Sequence, residues 1–185
     1  MSEVEIKIRN IDKNEIIQKI ENMGAKKNFT GRVIDFRFDT PDRRLSKQGK
    51  ALRIRQKGRH IYLNLKGKKK AIDNIVDREE IGVKVNNARV MHKILNDLGY
   101  VKIFEMNKYR TEYKLEDVKF DIDEYIGMTP ILEIDGHDLA KVRKYIKKFG
   151  FTEADMGGRL YIREILAAKK RYDEKKVLRK SGLKK

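Results

Sequence analysis

The sequence predicts an α+β fold of about eight mostly antiparallel strands with helices packed on the outside. Two observations carry this reading. Apolar and charged residues alternate in one segment after another, the period of an extended chain with a single apolar face. Between some of these segments lie stretches with apolar residues three and four apart, each followed by a glycine.

The first strand is Glu3-Val4-Glu5-Ile6-Lys7-Ile8, with two carboxylates and an ammonium on one face and Val4, Ile6 and Ile8 on the other. Asn14 to Met23 follows as an amphipathic helix, apolar at 16, 17, 20 and 23 and stopped by Gly24. Arg53 and Arg55 flank Ile54, and Asn64 and Lys66 alternate with Leu63 and Leu65. Arg78, Glu80 and Lys84 share one parity of a strand that leads into a second helix, Ala88 to Leu98, closing at Gly99. Lys108, Arg110, Glu112 and Lys114 lie on one face, Asp121 and Asp123 bracket Ile122, and Glu133 and Asp135 bracket Ile134. A third helix, Asp138 to Phe149, closes at Gly150, so strand, helix and glycine stop form a weak repeat. Residues 159–185 read as helical, with Leu160, Ile162, Ile165 and Leu166 expected to pack before the chain becomes too charged to bury.

Length and composition set the frame. The 185 residues carry two prolines and thirteen glycines, which fits a single domain over 1–166 followed by a basic tail over 167–185. No apolar run approaches a membrane span or a signal peptide, and a cytoplasmic location is the expectation. The absence of cysteine excludes a disulfide framework and thiolate metal sites, and His60, His92 and His137 lack ligand spacing. The formal net charge of +17 calls for a polyanionic partner. The tail holds nine Lys or Arg against Asp173 and Glu174, a net of +7, which leaves about +10 for the body.

A sheet apolar on one face and ionic on the other either shows the ionic face to water or closes around it. Closure would hold both signs a few ångströms apart, an arrangement suited to a polyanion with its divalent cations. Serine catalysis is disfavoured because Ser2, Ser46 and Ser181 have no histidine beside them. Gly-Lys at 49–50 and 67–68 is not followed by Ser or Thr, so no P-loop is present, and no dinucleotide fingerprint occurs. Metal-assisted phosphate chemistry remains. Mg²⁺ or Mn²⁺ takes oxygen ligands, and Glu3, Glu5, Glu133 and Asp135 form two acidic pairs, each facing one side of its strand. Lys7, Arg53, Arg55, Lys66, Lys108 and Arg110 would clamp a triphosphate, Arg through its fork and Lys as a point charge. These lumenal cations are expected to repel one another without ligand.

The same residues carry a resemblance. Glu3-x-Glu5-x-Lys7, Asp35-Phe-Arg-Phe-Asp-Thr-Pro41, Ala51-Leu-Arg-Ile-Arg55, Leu63-Asn-Leu-Lys66-Gly67, Arg78-Glu-Glu80, Lys108-x-Arg110, Asp121-x-Asp123 and Leu132-Glu-Ile-Asp135 occur in the order of the CYTH family, the triphosphate tunnel metalloenzymes. Over residues 3–166 the chain looks most like the class IV adenylyl cyclase and thiamine triphosphatase branch. The resemblance implies a closed eight-stranded antiparallel tunnel, a divalent-metal requirement, and cyclisation or hydrolysis of a triphosphate. It implies metal binding by Glu3, Glu5, Glu80, Asp121, Asp123, Glu133 and Asp135, and phosphate binding by Lys7, Arg53, Arg55, Lys66, Arg78, Lys108 and Arg110, with Lys66 and Lys7 catalytic. Thiamine triphosphatases resembling this chain have tyrosine where Arg37 stands, and a guanidinium cannot replace a phenol in proton transfer. The cyclase branch has Ser-Tyr where this chain has Leu160-Tyr161.

The leading expectation is an adenylyl cyclase that converts ATP to cyclic AMP and pyrophosphate. Inorganic, nucleoside or thiamine triphosphatase is an almost equal alternative. An RNA 5′-triphosphatase whose basic tail holds the RNA backbone, and a module that binds polyphosphate or nucleotide without turnover, complete the set. A homodimer stays among the expected partners.

Overall fold

Val4, Ile6 and Ile8, alternating with Glu5 and Lys7, form β1 (Ser2–Ile8), which opens a barrel seen in a computed structural model. The structure describes residues 2–68, 70–72, 75–152, 155 and 162–180. The other elements are α1 (Lys13–Asn22), β2 (Lys26–Asp39), α2 (Arg44–Lys47), β3 (Ala51–Lys57), β4 (His60–Lys66), β5 (Lys70–Ile72), β6 (Ile75–Val85), α3 (Ala88–Asp97), β7 (Val101–Leu115), β8 (Val118–Glu124), β9 (Ile131–Gly136), α4 (Leu139–Lys148) and α5 (Ile162–Lys180).

Eight strands run in the order β1-β9-β8-β7-β2-β3-β4-β6, and β6 returns to β1 to close the ring. Every pairing is antiparallel, and the short β5 adds only to the start of β6. Closure satisfies the strand edges internally and gives each wall an inner and an outer face. The predicted closed tunnel is therefore present.

Most apolar residues of the strands face outward, and many of them lie under the helices. Val4, Ile6, Ile8, Phe120, Ile122, Leu132 and Ile134 form one core with Ile16 and Ile20 of α1 and Val142 and Ile146 of α4. Phe38, Leu52 and Ile54 form a second core with Leu95 of α3. Capping fixes where the helices start: Asp12 accepts from the backbone N–H groups of Asn14 and Glu15, Asn87 from that of Val90, and Asp138 from that of Ala140. Asp39 accepts from the backbone N–H groups of Leu45 and Ser46, which holds the unforeseen turn α2.

One expectation changes. Ile165 of α5 is buried as predicted, but Leu166 is 49 % exposed and Ala168 takes the buried place. A helix buries residues three and four apart, and 165 and 168 satisfy that spacing. Leu160 and Tyr161 lie outside the described residues, as do residues 181–185 of the tail.

Candidate metal and triphosphate site

Residues paired directly across antiparallel strands project to the same face. Register therefore assembles the lumen. Lys7 pairs with Glu133 and Glu5 with Asp135 across β1 and β9. Glu133 pairs with Asp121, Asp121 with Glu112, and Asp123 with Arg110. On the far wall Asp35 lies opposite Arg55, Arg37 opposite Arg53, and Lys66 opposite Glu80.

Three carboxylates converge. Glu5, Glu133 and Asp135 each offer an oxygen, and these oxygens lie within 4.8 Å of one another. Three hard anionic donors on two neighbouring strands fit a divalent cation that takes oxygen ligands and keeps several waters. Asp121 adjoins this group and has its Oδ1 buried without a hydrogen-bond partner. The backbone of Glu3 pairs with that of Arg78, while the Glu3 side chain lies outside the described residues.

The cations are not an unopposed row. Lys7 donates to both Glu5 and Glu133. Arg110 holds Asp123 through Nε at 2.6 Å and Nη2 at 2.7 Å, and also reaches Asp121 and Glu133. Lys108 donates to Asp123. Arg55 grips Asp35 with two bonds of 2.7 Å, Arg53 donates to Glu80 at 3.0 Å, and Lys66 lies 2.6 Å from Glu80. Arg78 sits 3.5 Å from Glu5. The expected like-charge repulsion in the lumen is thus replaced by ion pairing. Each cation finds its counterion on another strand, often far away in sequence.

The network sets the protonation states. Burial opposes ionisation of Glu5, but Lys7, with Lys66 and Arg78, draws its carboxyl down to about 2. Glu133 is likewise held well below the carboxylate range, because Lys7, Arg110 and Lys108 outweigh burial. Burial lowers Lys7, yet Glu133 and Glu5 reverse this and keep its ammonium charged far above its usual range. Asp121 goes the other way. Burial, reinforced by Glu133 and Asp123, overcomes Arg110 and pushes its carboxyl up to about 7. A divalent cation beside it would pull that value down.

Sequence reasoning brought Lys7, Arg53, Arg55, Lys66, Arg78, Lys108 and Arg110 to this lumen, and the structure gathers them there. Of the carboxylates it named, Glu80 and Asp123 are taken up by Arg53, Lys66, Lys108 and Arg110. Two lumenal acids were not assigned. Asp35 is held ionised mainly by Arg55 and Arg53 against burial, and Glu112 pairs with Lys57. Glu112 shares the parity of Lys108 and Arg110 on β7, whereas Asp35 shares that of Arg37 on β2 and lies in one of the motif stretches. Arg37 lies partly buried on the lumenal parity of β2, and burial, with Arg78 and Arg55 near, lowers its affinity for a proton.

One end of the lumen is apolar. Met106, Tyr125, Met128 and Ile131 cluster there with Ile165 of α5. Arg9 donates to Glu164 at 3.0 Å beside them. A side chain on Gly127, whose φ is +78°, would meet the carbonyl oxygen of Ala168 at 2.6 Å, so glycine permits the close approach of α5.

A closed antiparallel tunnel in which Glu5 of β1 and Glu133 and Asp135 of β9 face basic walls is the arrangement the motifs implied, and the CYTH domain model matches residues 1–159. The chain belongs to the CYTH family. A Methanocaldococcus jannaschii protein whose name proposes an adenylate cyclase is 35 % identical over 139 residues, covering 73 % of this chain and 77 % of that protein. Solved structures share the fold. A Vibrio parahaemolyticus protein, described as a proposed adenylate cyclase, superposes with a TM-score of 0.76 at 22 % identity over 89 % of this chain and 97 % of that one. The PH1012 protein of Pyrococcus horikoshii gives 0.74 at 24 % identity over 87 % and 98 %. A Hippeastrum protein, described as a proposed adenylyl cyclase with a dominant triphosphatase activity, gives 0.63 at 18 % identity over 90 % and 96 %.

Proposed function

We propose that this CYTH protein is a divalent-metal-dependent enzyme that acts on a triphosphate inside the tunnel, with cyclisation of ATP to cyclic AMP and pyrophosphate as its reaction. The observation that carries the reading is the meeting of Glu5, Glu133 and Asp135 at one wall of a lumen whose other walls bear Arg53, Arg55, Lys66, Lys108 and Arg110. The name of the 35 %-identical relative favours cyclisation.

Glu5, Glu133 and Asp135 would hold Mg²⁺ or Mn²⁺, which when bound supplies charge neutralisation and polarises a phosphoryl oxygen. Arg53, Arg55 and Arg110 present planar forks that match phosphate oxygens, and Lys66 and Lys108 add point charges. In the free protein these groups are paired with carboxylates, so a triphosphate binds by replacing those partners. In cyclisation the ribose 3′-hydroxyl oxygen bonds to the α-phosphorus, the bond to the β-phosphate oxygen breaks, pyrophosphate leaves, and the hydroxyl proton is lost. The dominant triphosphatase activity ascribed to the Hippeastrum protein supports a second reading, in which water attacks and phosphate is released.

The deciding experiment incubates the protein with ATP, inorganic triphosphate and thiamine triphosphate, each with Mg²⁺ and with Mn²⁺, and identifies the products. Cyclic AMP with equimolar pyrophosphate supports the cyclase. Phosphate release without cyclic AMP replaces it with the triphosphatase. No turnover of any of the three in either metal overturns the enzymatic reading.

A further inference from the structure

Arg37 is the exception to the pairing of the lumenal cations. It shares the lumenal parity of β2 with Asp35, and register sets it directly opposite Arg53 of β3. Two guanidiniums across one rung repel each other unless an anion lies between them. Arg53 has such anions, since Glu80 accepts from it at 3.0 Å and Asp35 lies 3.7 Å away. Asp35 is itself gripped by Arg55 through two bonds of 2.7 Å. Among the described residues, no carboxylate oxygen comes within 4.0 Å of the Arg37 guanidinium, and its Nε is buried without a hydrogen-bond partner. Burial and the positive charge of Arg78 and Arg55 weaken its hold on its proton, with Asp35 only partly opposing them. Arg53 and Arg78 also bury an Nε that has no partner. Three arginines of one lumen therefore keep unused donors, and one of the three has no counterion at all.

This imbalance ranks the phosphate contacts. A phosphate that meets Arg53, Arg55 or Arg110 replaces a carboxylate, so it gains only the difference between two anions. A phosphate that meets Arg37 displaces nothing and satisfies a partly buried charge. We propose that Arg37 is a specificity-determining residue of this lumen, which reads the dianionic terminal phosphoryl group of a triphosphate. The proposal rests on the triphosphate reading above and adds which group of the substrate is selected. Near neutral pH a terminal phosphoryl group carries a charge of about −1.5 to −2 on three free oxygens, whereas an internal phosphate carries a single charge on two. Unused donors on Arg37, Arg53 and Arg78, with an uncompensated charge among them, match the terminal group in number and in charge. The fork of Arg37 can also hold two of its oxygens at once.

The test is binding without turnover. Calorimetry on the full chain in chelator gives Kd for ATP and for ATP methyl-esterified on its γ-phosphate, which keeps the chain length and removes the terminal dianion. Wild type should bind ATP at least about 10-fold more tightly than the ester, and Arg37→Met should bind the two within about 3-fold, chiefly through lost ATP affinity. Arg37→Lys restores the charge without the fork and should recover part of the preference. Without ligand, Arg37→Met should melt at or above the wild-type temperature, because it removes a cation that has no counterion. A purely structural role for Arg37 would instead lower that temperature and weaken both ligands alike. Wild type that binds the two ligands equally, or binds neither, overturns the inference. So does an Arg37→Met protein that keeps the preference, or one that fails to fold or melts well below wild type. The product analysis above judges the triphosphate reading in Mg²⁺ or Mn²⁺, whereas this titration contains no metal and needs no turnover, so either can fail alone.

Discussion

Arg110→Met tests whether the lumenal ion pairs stabilise the protein without ligand. Arg110 is 4 % exposed and holds Asp123 bidentately while reaching Asp121 and Glu133. After its removal Lys108 still pairs with Asp123 and Lys7 with Glu133, so Asp121 is left most exposed to uncompensated burial. Breaking a buried pair by removing one partner costs roughly 3–5 kcal/mol. For 185 residues the unfolding entropy near the midpoint is about 0.4 kcal/mol/K, so Tm should fall by about 8–13 °C.

The loss should depend on pH, with a definite sign. The folded-state value of Asp121, about 7, lies above its ordinary 3.8, so folding favours its protonated form. Its stabilising contribution is complete below about 3.8 and is lost as pH rises through 7. Without Arg110 the folded value rises further, and the variant loses less stability at pH 5 than at pH 8. Thermal melts of both proteins in chelator at the two pH values measure this. A Tm loss under about 3 °C at pH 8, or a larger loss at pH 5 than at pH 8, would refute the reasoning.

Glu133→Gln removes one of the three convergent carboxylates at nearly constant shape, and turnover should fall by at least about 100-fold, with more metal needed for half-maximal rate. Full activity at limiting Mg²⁺ would sink the metal assignment. Inorganic triphosphate with Mg²⁺, at about 100 times its Kd, should add about 2.7 kcal/mol and raise Tm by roughly 7 °C, and chelator should largely remove the shift. Truncation after Ala168 keeps Ile165 and Ala168 in place but removes the basic remainder, and should leave turnover of free triphosphate unchanged. If a 5′-triphosphorylated RNA is bound as well, the same truncation should flatten the salt dependence of that binding, read from Kd at several ionic strengths.

Much of the wall chemistry was legible because alternation over two residues assigns a side chain to a face before any partner strand is known. That is how Glu5, Lys7, Arg53, Lys66, Arg110 and Glu133 were found. Closure was not legible from pattern alone. It depends on β6 meeting β1, a pairing between residues about seventy positions apart that leaves no local mark and entered through family resemblance. Charge balance failed for the same reason. Arg53 looks isolated in its own strand, and its counterions Asp35 and Glu80 come from β2 and β6. Asp39 belongs to a motif stretch, yet its observed contacts cap α2. The sequence around Leu166 allowed either Leu166 or Ala168 to face inward, and the close passage of α5 over Gly127 selects the smaller residue.

The same ion pairs bear on how the proposed ligands would bind. A triphosphate entering alone must draw Arg53, Arg55 and Arg110 away from Glu80, Asp35, Asp121 and Asp123, which leaves buried carboxylates facing one another. A divalent cation entering alone must displace Lys7 from Glu5 and Glu133, which leaves an ammonium buried without its partners. Each ligand bound singly therefore carries a desolvation cost that the other relieves, since the cation neutralises freed carboxylates and the phosphates take up the freed ammonium. Reciprocity then requires that metal tighten triphosphate by the same factor that triphosphate tightens metal. Calorimetric titration of each ligand with and without the other gives the two factors. A coupling of at least about 10-fold in both directions follows from this lumen, and independent binding would mean that the carboxylates and cations do not exchange partners as the geometry requires.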